Sequence, residues 1–143
     1  MKNIIIVLLF LNSYTALGII PVLRISYDLN LKLSYGIGLC INGGDYAGSG
    51  YRGIYFMHSK SFFGKSNNTS LGLQSGVAGG FVSSQLGINK MNIIDNKDSK
   101  KTYWGLELNV HPLLIDYKLG LMAKEPYGYI NDLKINASIG LGI

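Results

Sequence analysis

The chain has 143 residues, of which 15% are charged and 19 are glycine, with a formal net charge of +5. Low charge with frequent glycine and tyrosine is unusual for a soluble globular domain, and the single cysteine, Cys40, excludes an internal disulfide. The basic excess is modest and forms no cationic stripe interleaved with aromatics, which argues against a nucleic-acid partner.

Met1 to Gly18 reads as a signal peptide. Lys2 supplies the positive n-region, Ile4 to Leu11 the apolar stretch, and Ala16-Leu17-Gly18 the small residues of a cleavage site before Ile19. The apolar run stops at Asn12-Ser13-Tyr14-Thr15, short of the roughly 20 residues a spanning helix needs. No cysteine follows it, so lipoprotein attachment is not expected. Residues 19–143 then form one domain of ordinary size. No later segment is apolar enough for a transmembrane helix, which leaves a closed barrel as the only other way across a bilayer.

Leu23 to Ile41 alternates strictly. Odd positions are aliphatic or tyrosine; even ones run Arg24, Ser26, Asp28, Asn30, Lys32, Ser34, Gly36, Gly38, Cys40. A single strand of that length would reach roughly 60 Å at 3.3 Å per residue, about twice a bilayer core, so it must fold back. The turn chemistry sits at Asp28-Leu29-Asn30, and unchanged parity calls for an odd loop. That register sets Ser26 opposite Lys32 and Arg24 opposite Ser34. Cys40 reads as a small buried residue on the polar wall. Tyr51 to His58 carries apolar residues on both parities, and its faces stay unassigned.

The hairpin at Gly79-Gly80, a favoured turn pair, switches parity. It sets Val77 against Val82, Leu73 against Leu86, Leu71 against Ile88, Gln74 against Gln85 and Gly72 against Gly87. A third hairpin spans Thr102 to Ala123 around His111-Pro112-Leu113-Leu114. Its polar wall pairs Glu107 with Lys118 and Asn109 with Asp116. The last segment alternates Leu133, Ile135, Ala137, Ile139, Leu141 and Ile143 with Lys134, Asn136, Ser138, Gly140 and Gly142. It reads as a closing strand with one greasy and one small, polar wall. The expected class is all-β: an antiparallel up-and-down β-barrel of about eight strands.

Alternation alone does not say which wall is inside, since a soluble sandwich alternates too. The polar wall decides it. It is mostly Gly, Ser, Asn and Gln with few charges, which suits a narrow lumen better than a water-facing surface. By length, alternation and hairpin count the mature chain resembles the small eight-stranded outer-membrane barrels of the OmpA/OmpX kind. It departs from them in ending on Ile143 where they usually end on an aromatic. The resemblance implies a side-chain-filled interior and no wide pore.

The polar wall collects Arg24, Lys32, Glu107, Asp116, Lys118 and Lys134, read as an interior charge network rather than an ion-conducting lumen. Lys60, Lys65, Lys90, Lys97, Lys100, Lys101 and Lys124 fall in the expected outer loops (Ser59–Asn68, Lys90–Lys101, Lys124–Asn131). The plainer reading is ordinary solvated loop charge; the functional one is attraction to anionic glycolipid or a surface partner. Asp28–Asn30 is a short outer loop, and Gly43–Gly50 a long periplasmic one. His111 is placed in a turn with a structural or solvated role. His58 with Ser61 would be a catalytic candidate only if a carboxylate joined them, and none does by spacing. No metal-ligand spacing or phosphate loop occurs. No catalytic, cofactor-binding or metal residue is therefore assigned.

The expected function is a monomeric outer-membrane barrel in contact with the lipid bilayer. Its role is structural or surface-interacting through its loops, without cofactor and not enzymatic. Alternatives are a membrane-embedded lipid-modifying hydrolase using His58, and a secreted or periplasmic soluble barrel or sandwich acting as a binding module.

Overall fold

A computed structural model describes residues 18–45, 50–77, 82–94, 99–125 and 133–142. They form eight antiparallel strands and no helix: β1 (Gly18–Asp28), β2 (Lys32–Asp45), β3 (Gly50–Ser61), β4 (Asn67–Gly76), β5 (Val82–Ile94), β6 (Lys100–Pro112), β7 (Ile115–Lys124) and β8 (Leu133–Gly142). Each strand pairs with the next and β8 pairs with β1, so the sheet closes into an up-and-down barrel. Residues 1–17 of the expected signal segment and the Gly79-Gly80 turn lie outside the described residues, while the segment's last residue, Gly18, pairs with Asn42 in β1.

Register fixes the dimensions. From Gly18 the paired residues run through Asn42, Gly53, Gln74, Gln85, Asn109, Lys118 and Ser138, and return to β1 at Asp28, ten residues further on. Such a stagger tilts the strands by roughly 35–45° and leaves eight of them an interior just wide enough for side chains. The rows of paired residues also climb toward the Asp28 end from β1 to β8. That end carries the connections 29–31, 62–66, 95–99 and 125–132. The opposite end carries 46–49, 77–81 and 113–114.

The hairpin around Gly79-Gly80 has the expected register: Leu71 faces Ile88, Gly72 faces Gly87, Leu73 faces Leu86 and Gln74 faces Gln85. The Val77 N–H donates to Val82 O at 3.1 Å. Two other hairpins differ by two residues. Ser26 faces Ser34 and Arg24 faces Gly36, because the loop is Leu29-Asn30-Leu31 and pairing runs out to Asp28 with Lys32. The Asp28 carboxylate caps that turn, accepting from the N–H groups of Asn30 (2.7 Å) and Leu31 (3.0 Å). In the third hairpin Glu107 faces Gly120 and Asn109 faces Lys118. The turn is Leu113-Leu114, with Leu113 at φ 59°, and Pro112 still belongs to β6. Pairing also continues to Asp45 with Gly50, which shortens the long loop expected at Gly43–Gly50.

The greasy wall faces outward all the way round. On β1 it shows Leu23, Ile25, Tyr27 and then Leu29 of the loop; on β2, Leu33, Tyr35, Ile37, Leu39 and Ile41; on β7, Ile115, Tyr117, Leu119 and Leu121; on β8, Leu133, Ile135, Ile139 and Leu141. The belt is thinner on β3 to β5. Ile54 and Phe56, Leu71 and Leu73, and Leu86 and Ile88 are flanked there by outward polar residues. The unassigned Tyr51–His58 segment resolves accordingly: Ile54 and Phe56 point out, while Tyr55 and Met57 are buried inside.

The inside is a polar core with apolar patches. Leu31, Met91, Tyr103 and Met122 pack together and close the lumen toward the Asp28 end. Cys40, Tyr55 and Met57 form a second cluster with Val22, which places Cys40 on the inner wall as expected. Large inward side chains fit because inward glycines face them. A Cβ at Gly87 would stand 2.4 Å from the Tyr55 hydroxyl and 2.5 Å from Leu71 O. Gly87→Ala should therefore cost about 1–3 kcal/mol as an overpacking change. Gly64→Ala, whose Cβ would meet Ser61 Oγ at an ordinary 3.4 Å, should cost far less. Urea unfolding midpoints of the two variants check this, and equal midpoints would contradict the packing.

Candidate functional site: the interior charge network and the basic rim

Inward positions on β1 and β7 bring the first ion pair together. Arg24 Nε lies 2.7 Å from Asp116 Oδ2, with Arg24 4% and Asp116 0% exposed. His111, inward at the end of β6, joins them. Its Nδ1 is 3.1 Å from Asp116 Oδ1, and its Nε2 is 3.5 Å from an Arg24 guanidinium nitrogen. His111 is thus a partner of the buried pair rather than a turn residue. The signal was its odd number, shared with Glu107 and Asn109 on the same inner wall.

The second pair is Lys118 with Asp28, at 3.0 Å. Asp28, which the sequence places on the polar parity of Arg24 and Ser26 and in the turn, points inward and is a member of the network not expected there. With its amide oriented to satisfy both neighbours, Asn136 donates to Asp28 at 2.9 Å and accepts from Lys118 at 3.2 Å. Both ion pairs join β1 to β7, across the intervening β8.

Glu107 is inward and buried, and it has no cation within ion-pair distance among the described residues. The expected Glu107–Lys118 and Asn109–Asp116 pairings are not present. Glu107 Oε1 instead accepts from the Tyr55 hydroxyl at 3.0 Å, reached across the lumen from β3, and from the Asn109 amide at 3.2 Å. An amide relay continues from there. Asn109 donates to Gln85 (3.2 Å), Gln85 donates to Gln74 (2.9 Å), and Gln74 donates to Asn42. Cys40 Sγ donates to Gln74 at 3.0 Å. Low dielectric makes every unmet polar group in such a space costly, which is why small amides chain together there.

Lys32 and Lys134 stand apart from the network. Lys32 is exposed beside the turn, and Lys134 is half-buried with Nζ 5.3 Å from the centre of the Tyr103 ring. On the side away from Leu31 a cavity of about 280 Å³ opens into the barrel, with Arg24, Cys40, Gln74 and His111 in its wall.

The lysines expected in loops lie toward the Asp28 end, but mostly on strands that run further than alternation suggested. Lys60 is on β3, Lys90 on β5, Lys100 and Lys101 on β6 and Lys124 on β7. Lys65 is in the β3–β4 connection, and Lys97 lies outside the described residues. Lys90 is held 4.9 Å over the Trp104 ring. Tyr35, Phe62 and Phe63 form an aromatic run on the same rim, with Tyr35 and Phe62 centroids 5.0 Å apart. His58 points outward and its Nδ1 is 2.8 Å from Thr69 Oγ1. Ser61 is buried on the inner wall, so the two do not converge on a substrate. No group of three His, Cys, Asp or Glu suited to a metal occurs among the described residues.

No protein-family model matches the chain, and neither the curated proteins nor the solved structures contain a match.

The geometry fixes which residues should couple. Arg24→Met strands a buried Asp116 carboxylate and should cost about 3–5 kcal/mol, with part of the loss recovered by adding Asp116→Asn. A double-mutant cycle on Glu107→Gln and Lys118→Met should show weaker coupling than a cycle on Arg24 and Asp116, because Glu107 and Lys118 share a network without touching. A coupling there as large as that between Arg24 and Asp116, or none between Arg24 and Asp116, would contradict the assigned partners.

Proposed function

We propose that this chain is a small bacterial outer-membrane β-barrel with a side-chain-filled interior, acting as a structural or surface-interaction element through its basic end. The observation that carries the reading is the closed belt of exposed aliphatic and aromatic residues around a polar, hydrogen-bonded inside. In water each such side chain would forgo about 1.5–3 kcal/mol of burial, and an apolar surface that girdles the molecule far exceeds the patches soluble monomers tolerate. In hydrocarbon the same belt is solvated, and closure leaves no backbone edge unpaired. The signal-peptide reading of residues 1–18 supports export, and the resemblance to the OmpA/OmpX kind of barrel supports the setting.

The proposed orientation puts the Asp28 end outside, since the longer connections and most of the lysines gather there. This end would meet anionic glycolipid or a surface partner; a monomer suffices because the sheet closes on itself. Among the described residues no assembled catalytic group supports the hydrolase alternative, His58 and Ser61 being on opposite walls.

The test is biochemical. The folded chain should stay with outer membranes through a carbonate wash and migrate differently from the boiled chain on a detergent gel. A chain that is monomeric and soluble without detergent would overturn the proposal. Leu73→Arg, on the belt, should cost about 2–4 kcal/mol if it sits near the bilayer midplane. Unchanged stability in lipid-refolding titrations would mean that the belt does not face hydrocarbon.

A further inference from the structure

The thinned belt on β3 to β5 carries more cations toward the Asp28 end than at the other flank, where outward Arg52 on β3 stands alone among the described residues. Toward the Asp28 end, outward Lys60 on β3 is exposed, with His58, Thr69 and Lys90 half-buried close by on β3, β4 and β5. Because the paired rows climb around the barrel, these residues stand at about the height of Tyr27 on β1 and Leu119 on β7, where the belt is still apolar. They cut a cationic notch into it. Among the described residues of β3 to β6 no carboxylate balances the notch: the one acid there, Glu107, points into the lumen.

The side chains are also held in place. Trp104, the cross-strand neighbour on β6, holds Lys90 by a cation–π contact. Thr69 engages one nitrogen of His58, leaving the other ring nitrogen for a ligand. We propose that this outward face binds the phosphate of an anionic lipid headgroup, drawn toward the midplane where the hydrophobic span is short. The inference rests on the membrane reading above. The physical reasons are charge complementarity, with no outward acid among the described residues of β3 to β6, and the way a bilayer adapts to a short apolar span by thinning around it. Lysine stems can lie along the apolar surface beneath while their ammonium groups reach the phosphate.

The experiment uses the full mature chain refolded into phosphatidylcholine vesicles or into vesicles also containing phosphatidylglycerol. Lipid retained on detergent extraction is read by native mass spectrometry. The wild type should retain phosphatidylglycerol preferentially. Lys60→Gln with Lys90→Gln should lower that preference roughly tenfold or more while the heat-modifiable gel shift persists. Lys32→Gln with Lys134→Gln, an equal loss of charge at the mouth, should leave the preference unchanged.

Equal retention of both lipids, or an equal loss in both double variants, would overturn the site and leave the membrane barrel standing. So would a dimer covering this face, or binding of inorganic phosphate with no lipid preference. A chain that inserts into neither kind of vesicle would overturn the barrel reading and the site together.

Discussion

Closure of the sheet through β1 and β8, with a stagger of ten residues, constrains everything else in this molecule. It pairs the backbone around the full circumference and leaves a lumen only as wide as the side chains that fill it. Most inward polar groups are then matched by other inward groups, although Glu107 Oε2, Asn68 Oδ1, Asn89 Oδ1, Asn109 Oδ1 and Ser138 Oγ find no hydrogen-bond partner among the described residues. The Arg24–Asp116–His111 cluster, the Lys118–Asp28–Asn136 cluster and the amide relay from Glu107 to Asn42 are the consequence. The small Gly, Ser, Asn and Gln of the polar wall follow from the same lack of room.

The same narrowness decides who partners whom. In an open sheet an inward charge meets its cross-strand neighbour. In a closed eight-stranded barrel an arginine or tyrosine is long enough to cross the lumen. Arg24 and Asp28 on β1 reach β7 past β8, and Tyr55 on β3 reaches Glu107 on β6. These contacts tie together strands two and three apart around the barrel, independently of the hairpins. A buried ion pair offers little net stability once desolvation is counted, but removing one partner is expensive. The interior thus specifies one register more than it adds free energy.

The barrel class and the assignment of most residues to walls were legible in the sequence, because a period of two survives wherever one wall is aliphatic. Register was legible at Leu71–Ile88, where like residues match on both walls around a glycine pair. It was not legible at the other two hairpins, for identifiable reasons. Leu113 takes φ 59°, a conformation that leucine gives no cue for, so the turn was centred one residue early on Pro112. Asp28 serves the turn and the lumen at once; starting the loop at Asp28 moved the register by two, and leaving Asp28 out of the expected charge network hid the partner of Lys118. The choice of Glu107 with Lys118 assumed direct opposition, which pairing across the lumen makes unnecessary. The thin belt on β3 to β5 was beyond reach of the sequence, since it depends on how the stagger aligns heights on distant strands.

The central claim is that one wall of these strands meets hydrocarbon and the other a polar interior filled by side chains. Nitroxide labels placed one at a time along β7, from Ile115 to Ala123 in a Cys40→Ser background, test it most directly in lipid vesicles. Labels at Ile115, Tyr117, Leu119 and Leu121 should collide freely with oxygen and scarcely with a water-soluble nickel complex. Labels at Asp116, Lys118 and Gly120 should be immobile and shielded from both. A period of two with the nickel complex reaching the odd positions would mean that the greasy wall faces water, and would contradict the account.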